Sequence, residues 1–116
     1  MAAPNILSAT SHKSRFECLN VTTSATAIIS NAAASGKVLR VTRLRIANVD
    51  GTNAADITVD VYRSSTAYPI AKTVAVPADA TLEIDGGITL EEGDSLRVTA
   101  SADGDLVATC SYEELS

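Results

Sequence analysis

The stretch from Ile46 to Tyr62, IANVDGTNAADITVDVY, decides the fold class. In its second half Ile57, Val59 and Val61 alternate with Thr58 and Asp60. That period of two puts the aliphatic side chains on one face and the polar ones on the other. An equally apolar segment precedes it, and Asn48–Asn53 between them supplies residues suited to tight turns. The pattern predicts two strands joined by a polar turn, longer than the two-residue hairpin ideal. Nothing reactive sits on it.

Working outward, the same alternation recurs from Phe16 to Tyr112 and is rich in β-branched residues. It predicts strands at 16–22, 25–30, 37–48, 55–63, 68–76, 80–84, 87–91, 94–100 and 105–112. Asp85-Gly86-Gly87, Glu92-Gly93-Asp94 and Asp103-Gly104-Asp105 punctuate them as turns. Pro69 cannot donate to a ladder, so its strand is expected at an edge or a bulge, and Pro77 fits a strand exit. The segment SNAAASG, Ser30–Gly36, is long enough for one helical turn, but it lies between strands and a loop is expected. Eight or nine short strands at this spacing predict an all-β antiparallel β-sandwich or jelly roll. Residues 1–15 are expected to form an extended N-terminal arm, and 16–116 a single domain.

A chain of 116 residues suits one domain. At this size roughly 65% of the unfolded surface is buried, enough for a core without metal or disulfide staples. Apolar residues make up 46% but aromatics only 3%, with no Trp, so Val, Ile, Leu and Ala must build that core. No run approaches the roughly 20 apolar residues that span a bilayer. The opening MAAPNILSATSHKSR has neither a basic start nor a continuous apolar segment, so a cytosolic product with no membrane partner is expected. Cys18 and Cys110 are then expected to be reduced, buried side chains, a bridge between terminal strands being the alternative.

Charge is more informative by position than in total. Residues 1–78 carry eight basic and four acidic side chains, whereas 79–116 carry ten acidic ones and only Arg97. Either basic and acidic strands lie side by side in one sheet, or the basic strand of one copy faces the acidic end of another. In 37–48 strict alternation would place Arg43 and Arg45 on one face and Arg40 on the other.

Chemistry is hard to assemble from these residues. His12, the sole histidine, lies outside the expected core, which excludes a His-dependent triad on the predicted strands. Glu83 and Asp85 share a face, but the four aromatic residues are few for a sugar-stacking cleft. Two cysteines and one histidine do not make a zinc site. Calcium requires Glu91, Glu92, Asp94, Asp103 and Asp105 to converge on one end of the sandwich; solvated turn acids are the alternative. Isolated turn glycines cradle no phosphate, and an acidic chain of pI near 4.6 is a poor nucleic-acid partner. No cofactor is expected. What remains is an interaction surface, with candidates Ile6 and Leu7 in the arm, Lys37, Arg40, Arg43 and Arg45 on the basic strand, and Glu91, Glu92, Asp94, Glu113 and Glu114 in the acidic part.

IANVDGTNAADITVDVY, AKTVAVPADATLEIDGGITLEEGDSLRVTASADGDL and CSYEEL together resemble a family of small β-sandwich virion proteins of tailed bacteriophages. The similarity spans roughly Val21 to Leu115 and consists of turns and strand patterns, so it carries no functional residue across. It implies a non-catalytic virion component, assembled in the host cytoplasm. Its position would be capsid decoration or cement, or alternatively a neck, tail or baseplate accessory. Its partners would be other virion proteins and further copies of itself. A glycan- or receptor-binding module is the reading from a different class.

Overall fold

The structure, a computed structural model, describes residues 11–116. Its eight strands are β1 (His12–Asn20), β2 (Thr26–Ser30), β3 (Val38–Asn48), β4 (Ala55–Arg63), β5 (Thr66–Val76), β6 (Thr81–Leu90), β7 (Ser95–Ala100) and β8 (Leu106–Leu115). They form two four-stranded sheets ordered β1-β8-β3-β6 and β2-β7-β4-β5. The paired strands run antiparallel. This interleaved order is that of a jelly roll, in which two Greek keys share one sandwich. Between the sheets sit Leu44, Ile46, Ile57, Val59, Leu90, Leu96, Val98 and Leu106, all essentially inaccessible. Aliphatic side chains thus fill the core, as the composition requires.

Sheet membership is where sequence and structure part. Ile46–Tyr62 is not a hairpin: β3 ends in one sheet and β4 begins in the other. The polar segment between them is a corner across the end of the sandwich. Asn48 makes it, buried with its amide donating to the carbonyls of Asn53 and Val76, both at 2.9 Å. Its Oδ1 accepts from the Asp50 backbone N–H at 2.9 Å. The tight hairpin is instead β4–β5, where Ser64 and Ser65 (φ 52° and 59°) close a two-residue turn between the paired Arg63 and Thr66. Positive φ at both central residues is the type I′ geometry that matches strand twist. Ser-Ser lacks the Asn-Gly signature, so the sequence gives no sign of it.

Two further boundaries move. The predicted strands 80–84 and 87–91 are one strand, β6, and Asp85-Gly86-Gly87 is a bulge within it. The first strand starts at His12, so residues 12–15 pair with β8. Pro69 does lie on an edge strand, and β5 ends at Val76 just before Pro77. The segment 31–37 is a loop.

The β6 bulge opposes an irregularity in β3, where the register with both neighbours shifts between Val41 and Arg43. A Cβ on Gly86 would stand 2.7 Å from the Val41 carbonyl oxygen and 3.0 Å from that of Thr42. Both are backbone atoms in a central strand and cannot yield. Gly86→Ala should therefore lose about 2 kcal/mol in denaturant melts. Gly51→Ala, whose Cβ would meet only Asp79 Oδ2 at 3.8 Å, should stay within about 0.5 kcal/mol of the parent.

Candidate functional site

The bulge in β3 has an electrostatic consequence. Because Thr42 and Arg43 together occupy the space of one residue against β8, the alternation is reset and Arg40 emerges on the same outer face as Arg43 and Arg45. Strict alternation had placed it opposite. Each guanidinium faces a carboxylate on a flanking strand. Arg45 Nε lies 2.9 Å from Glu83, Arg43 3.8 Å from Asp85, and Arg40 3.7 Å from Glu113. Glu83 and Asp85 thus share a face as expected. The basic strand and the acidic strands are neighbours in one sheet, the first of the two arrangements the charge asymmetry allowed.

The segment Ser-Tyr-Glu-Glu-Leu, residues 111–115, belongs to the sheet. It is the end of β8, a central strand between β1 and β3. Glu113 also meets His12 Nε2 at 3.5 Å, an ion pair when the imidazole is protonated. Glu114, opposite the buried Leu39, has its side chain mostly buried and receives Arg15 at 3.7 Å and Lys37 at 3.6 Å. Beyond the strand, Ser11 and Ser116 exchange both backbone hydrogen bonds at 2.9 Å.

The acidic turn residues fall into two groups. Glu91, Glu92 and Asp94 belong to the β6–β7 turn, whereas Asp103 and Asp105 follow β7. Six residues of extended chain, roughly 20 Å, separate the groups, so the convergence that calcium would need does not occur. Among the described residues no three His, Cys, Asp or Glu side chains are gathered to hold a metal ion. Instead Glu92 caps the Gly36 N–H at 2.8 Å, and Asp103 accepts from the Thr23 N–H at 2.9 Å.

Asp94 has the most built environment. Its side chain is 4% exposed and accepts from Arg63, which holds both oxygens through Nε at 3.0 Å, and from the Glu91 N–H at 2.9 Å. Glu91 adds a second contact to Arg63 at 3.6 Å. Burial pushes the Asp94 carboxyl up, but the Arg63 and Glu91 donors outweigh it and hold the group below its ordinary value. The clasp ties the end of β4 in one sheet to the turn leaving β6 in the other.

A related cluster has no signature in the sequence. Asp60 and Arg97 are cross-strand partners on β4 and β7, with Nε–Oδ1 at 2.8 Å, and the guanidinium carbon stacks 4.1 Å from the Tyr62 ring centroid. Asp60 is buried beneath this lid. The alternation Ile57-Thr58-Val59-Asp60-Val61 showed that Asp60 faces outward. Only the register, invisible in sequence, shows that Arg97 meets it.

The cysteines divide. Cys110 is buried, its thiol pushed up to about 12 by burial and the nearby Glu17, so it is inert near neutral pH. Cys18 is exposed on edge strand β1, contrary to the expectation that both are buried, and both thiols are free. Of the remaining candidates, Ile6 and Leu7 lie outside the described residues. Among the described residues no helix is long and apolar enough to cross a membrane.

No protein-family model matches the chain, and no curated protein matches it in sequence. Its fold does have solved counterparts. A chain from Bacillus endospore appendages, a family of disulfide-linked pili, superposes with a TM-score of 0.56 at 12% identity over 91% of this chain and 87% of that one. A chain of the acid-stable capsid of Helicobacter pylori bacteriophage KHP30 gives 0.52 at 6% identity over 93% and 90%. The nucleoplasmin-like N-terminal domain of Drosophila FKBP39 gives 0.48 at 15% identity over 85% and 87%. At such identities the likeness is one of fold.

Asp94 yields a pH-dependent expectation. A carboxyl held below its unfolded value near 3.8 stabilises the fold fully above that value and loses the contribution as pH falls through the lower folded one. Asp94→Asn should cost about 2 kcal/mol at pH 7. Equilibrium unfolding at a series of pH values should show that deficit shrinking only below about pH 4. A deficit unchanged down to pH 2 would mean that ionisation of Asp94 contributes nothing.

Proposed function

We propose that this chain is a non-enzymatic structural subunit of a tailed-phage particle, a decoration or cement protein on the head shell. One observation carries the reading: the charged side chains of the outer face and the sandwich end are arranged as cross-strand ion pairs and backbone caps. None of the clusters described above joins a nucleophile to a base or gathers metal ligands. Such a surface offers shape and charge to a neighbour.

The fold it shares with a phage capsid chain and a pilus chain supports a subunit that works by being placed among others. The resemblance of its turns to small virion proteins supports a tailed-phage setting. A decoration protein adds contacts between shell subunits and so resists internal pressure. Its partners are the shell protein and further copies of itself, and its location is the virion, after assembly in the host cytoplasm. A neck or tail position is the second reading, favoured by the same resemblance.

Copy number separates the two. Densitometry of purified particles should give on the order of hundreds of copies for a head protein, against at most a few dozen for a neck or tail piece. Particles lacking the chain should keep normal tails and lose at least tenfold more infectivity on heating or osmotic shock. Particles that are equally robust but tailless would move the protein to the neck or tail. Absence of the chain from purified particles would end the structural reading.

A further inference from the structure

The β5–β6 side of the sandwich is left open. These two strands are the outer members of their sheets on the same side, and a groove lies between them. Tyr68, opposite Val61, belongs to the inward face yet is 56% exposed. Ile70, pushed out where β5 carries an extra residue between the Val59 and Asp60 pairings, is 42% exposed. With Val61, Arg63, Gly87 and Ile88 they line a groove of about 380 Å³. Tyr68, Ile70 and Val74 are three of the five exposed large apolar side chains among the described residues, so the exposed apolar surface is concentrated here.

The first ten residues, MAAPNILSAT, carry no charged side chain and hold Ile6 and Leu7 next to each other. They join the domain at Ser11, beside Ser116 at the end of β8. That is also the end at which β6 finishes and β5 begins, since Leu115 pairs with Val38, Leu39 with Leu90, and Arg63 with Thr66. Arm root and groove therefore occupy the same end of the sandwich but opposite edges, three strand spacings or about 14 Å apart. A heterologous contact of the β1 edge of one copy with the β5–β6 edge of a second would bring root and groove together. Ten residues reach up to about 33 Å, and Ile6 lies within about 18 Å of Ser11. To fill its own groove the arm would have to double back over the 31–37 loop and the β6–β7 turn.

We propose that residues 1–10 of one copy dock, through Ile6 and Leu7, into the β5–β6 groove of a second copy. This rests on the structural-subunit reading and names the contact that joins the subunits. The docking is made by side chains. Two bulges and Pro69 interrupt the outer ladder of β5, so a continuous added strand is not available there. Ile6 and Leu7 would meet Val61, Tyr68, Ile70 and Ile88, while Arg63 and Thr89 in the same lining are left to the polar backbone of the segment.

Disulfide trapping in the full chain tests it, on a Cys18→Ser background. Leu7→Cys and Ile70→Cys chains, mixed and mildly oxidised, should give linked dimers on a non-reducing gel, and the double variant should give a ladder. Ile70→Asp, at an exposed position, and Leu7→Asp should each weaken self-association at least tenfold in sedimentation equilibrium, with no further loss when combined. An internally linked monomer from the double variant would show that the arm fills its own groove and overturn the proposal. Undiminished self-association without any trapped dimer would also overturn it, while leaving the structural-subunit reading, tested on particles, intact.

Discussion

The structure depends on bringing a polar backbone through the ends of an apolar sandwich. Every connection except β4–β5 crosses from one sheet to the other. Each crossing carries unpaired N–H and C=O groups past the edge of the core, where an unsatisfied one costs about 1–3 kcal/mol. Short side chains with fixed donors and acceptors solve this. Asn48 does so at the β3–β4 corner. At the other end Asn31, also buried, donates to the carbonyls of Lys37 and Leu90 at 2.9 and 3.0 Å, linking the β2–β3 loop to the end of β6. The Asn31 backbone exchanges bonds with Asp94 and Gly93, so loop and turn are one hydrogen-bonded unit with the Arg63 clasp. The buried polar residues at the corners are therefore what allow the strands to interleave.

That explains which parts of the fold were legible in the sequence. A strand announces itself by alternation, because each side chain is either in the core or out of it, and the strands at 55–63 and 94–100 were read almost to the residue. Alternation does not say which sheet a strand joins. Asn48-Val49-Asp50-Gly51 has the same composition whether it turns a hairpin or a corner. The difference lies in Asn48 being buried, a tertiary fact. The bulge at Asp85–Gly87 has the glycines of a turn because it also needs positive φ, which Gly87 adopts at 96°.

The charge pattern was legible in kind and not in place. The excess of Arg on β3 and of acids on β6 and β8 follows from β3 lying between them. Each outer pair is exposed and contributes at most about 1 kcal/mol. Their collective effect is on register: a one-residue slip of β3 would turn all three guanidiniums into the core. The ladder thus selects one pairing more strongly than it stabilises it. The Asp60–Arg97–Tyr62 cluster is not legible because Arg97 is 37 positions from Asp60 and meets it only through the register of β4 with β7.

The β5 edge of the sandwich is finished against strand addition. An exposed edge strand invites any other strand to add to it, and its ladder hydrogen bonds do not discriminate between partners. On β5 that invitation is withdrawn by Pro69, by two extra residues and by Thr73 at φ 47°, whose N–H turns back to Thr58 Oγ1 at 3.1 Å. What β5 still presents is side chains, and apolar ones. Recognition by side chains is selective where recognition by backbone is not, because the partner must match a groove of particular shape. An edge that blocks strand addition while keeping Tyr68, Ile70 and Val74 exposed favours a partner matched to its side chains over indiscriminate strand addition.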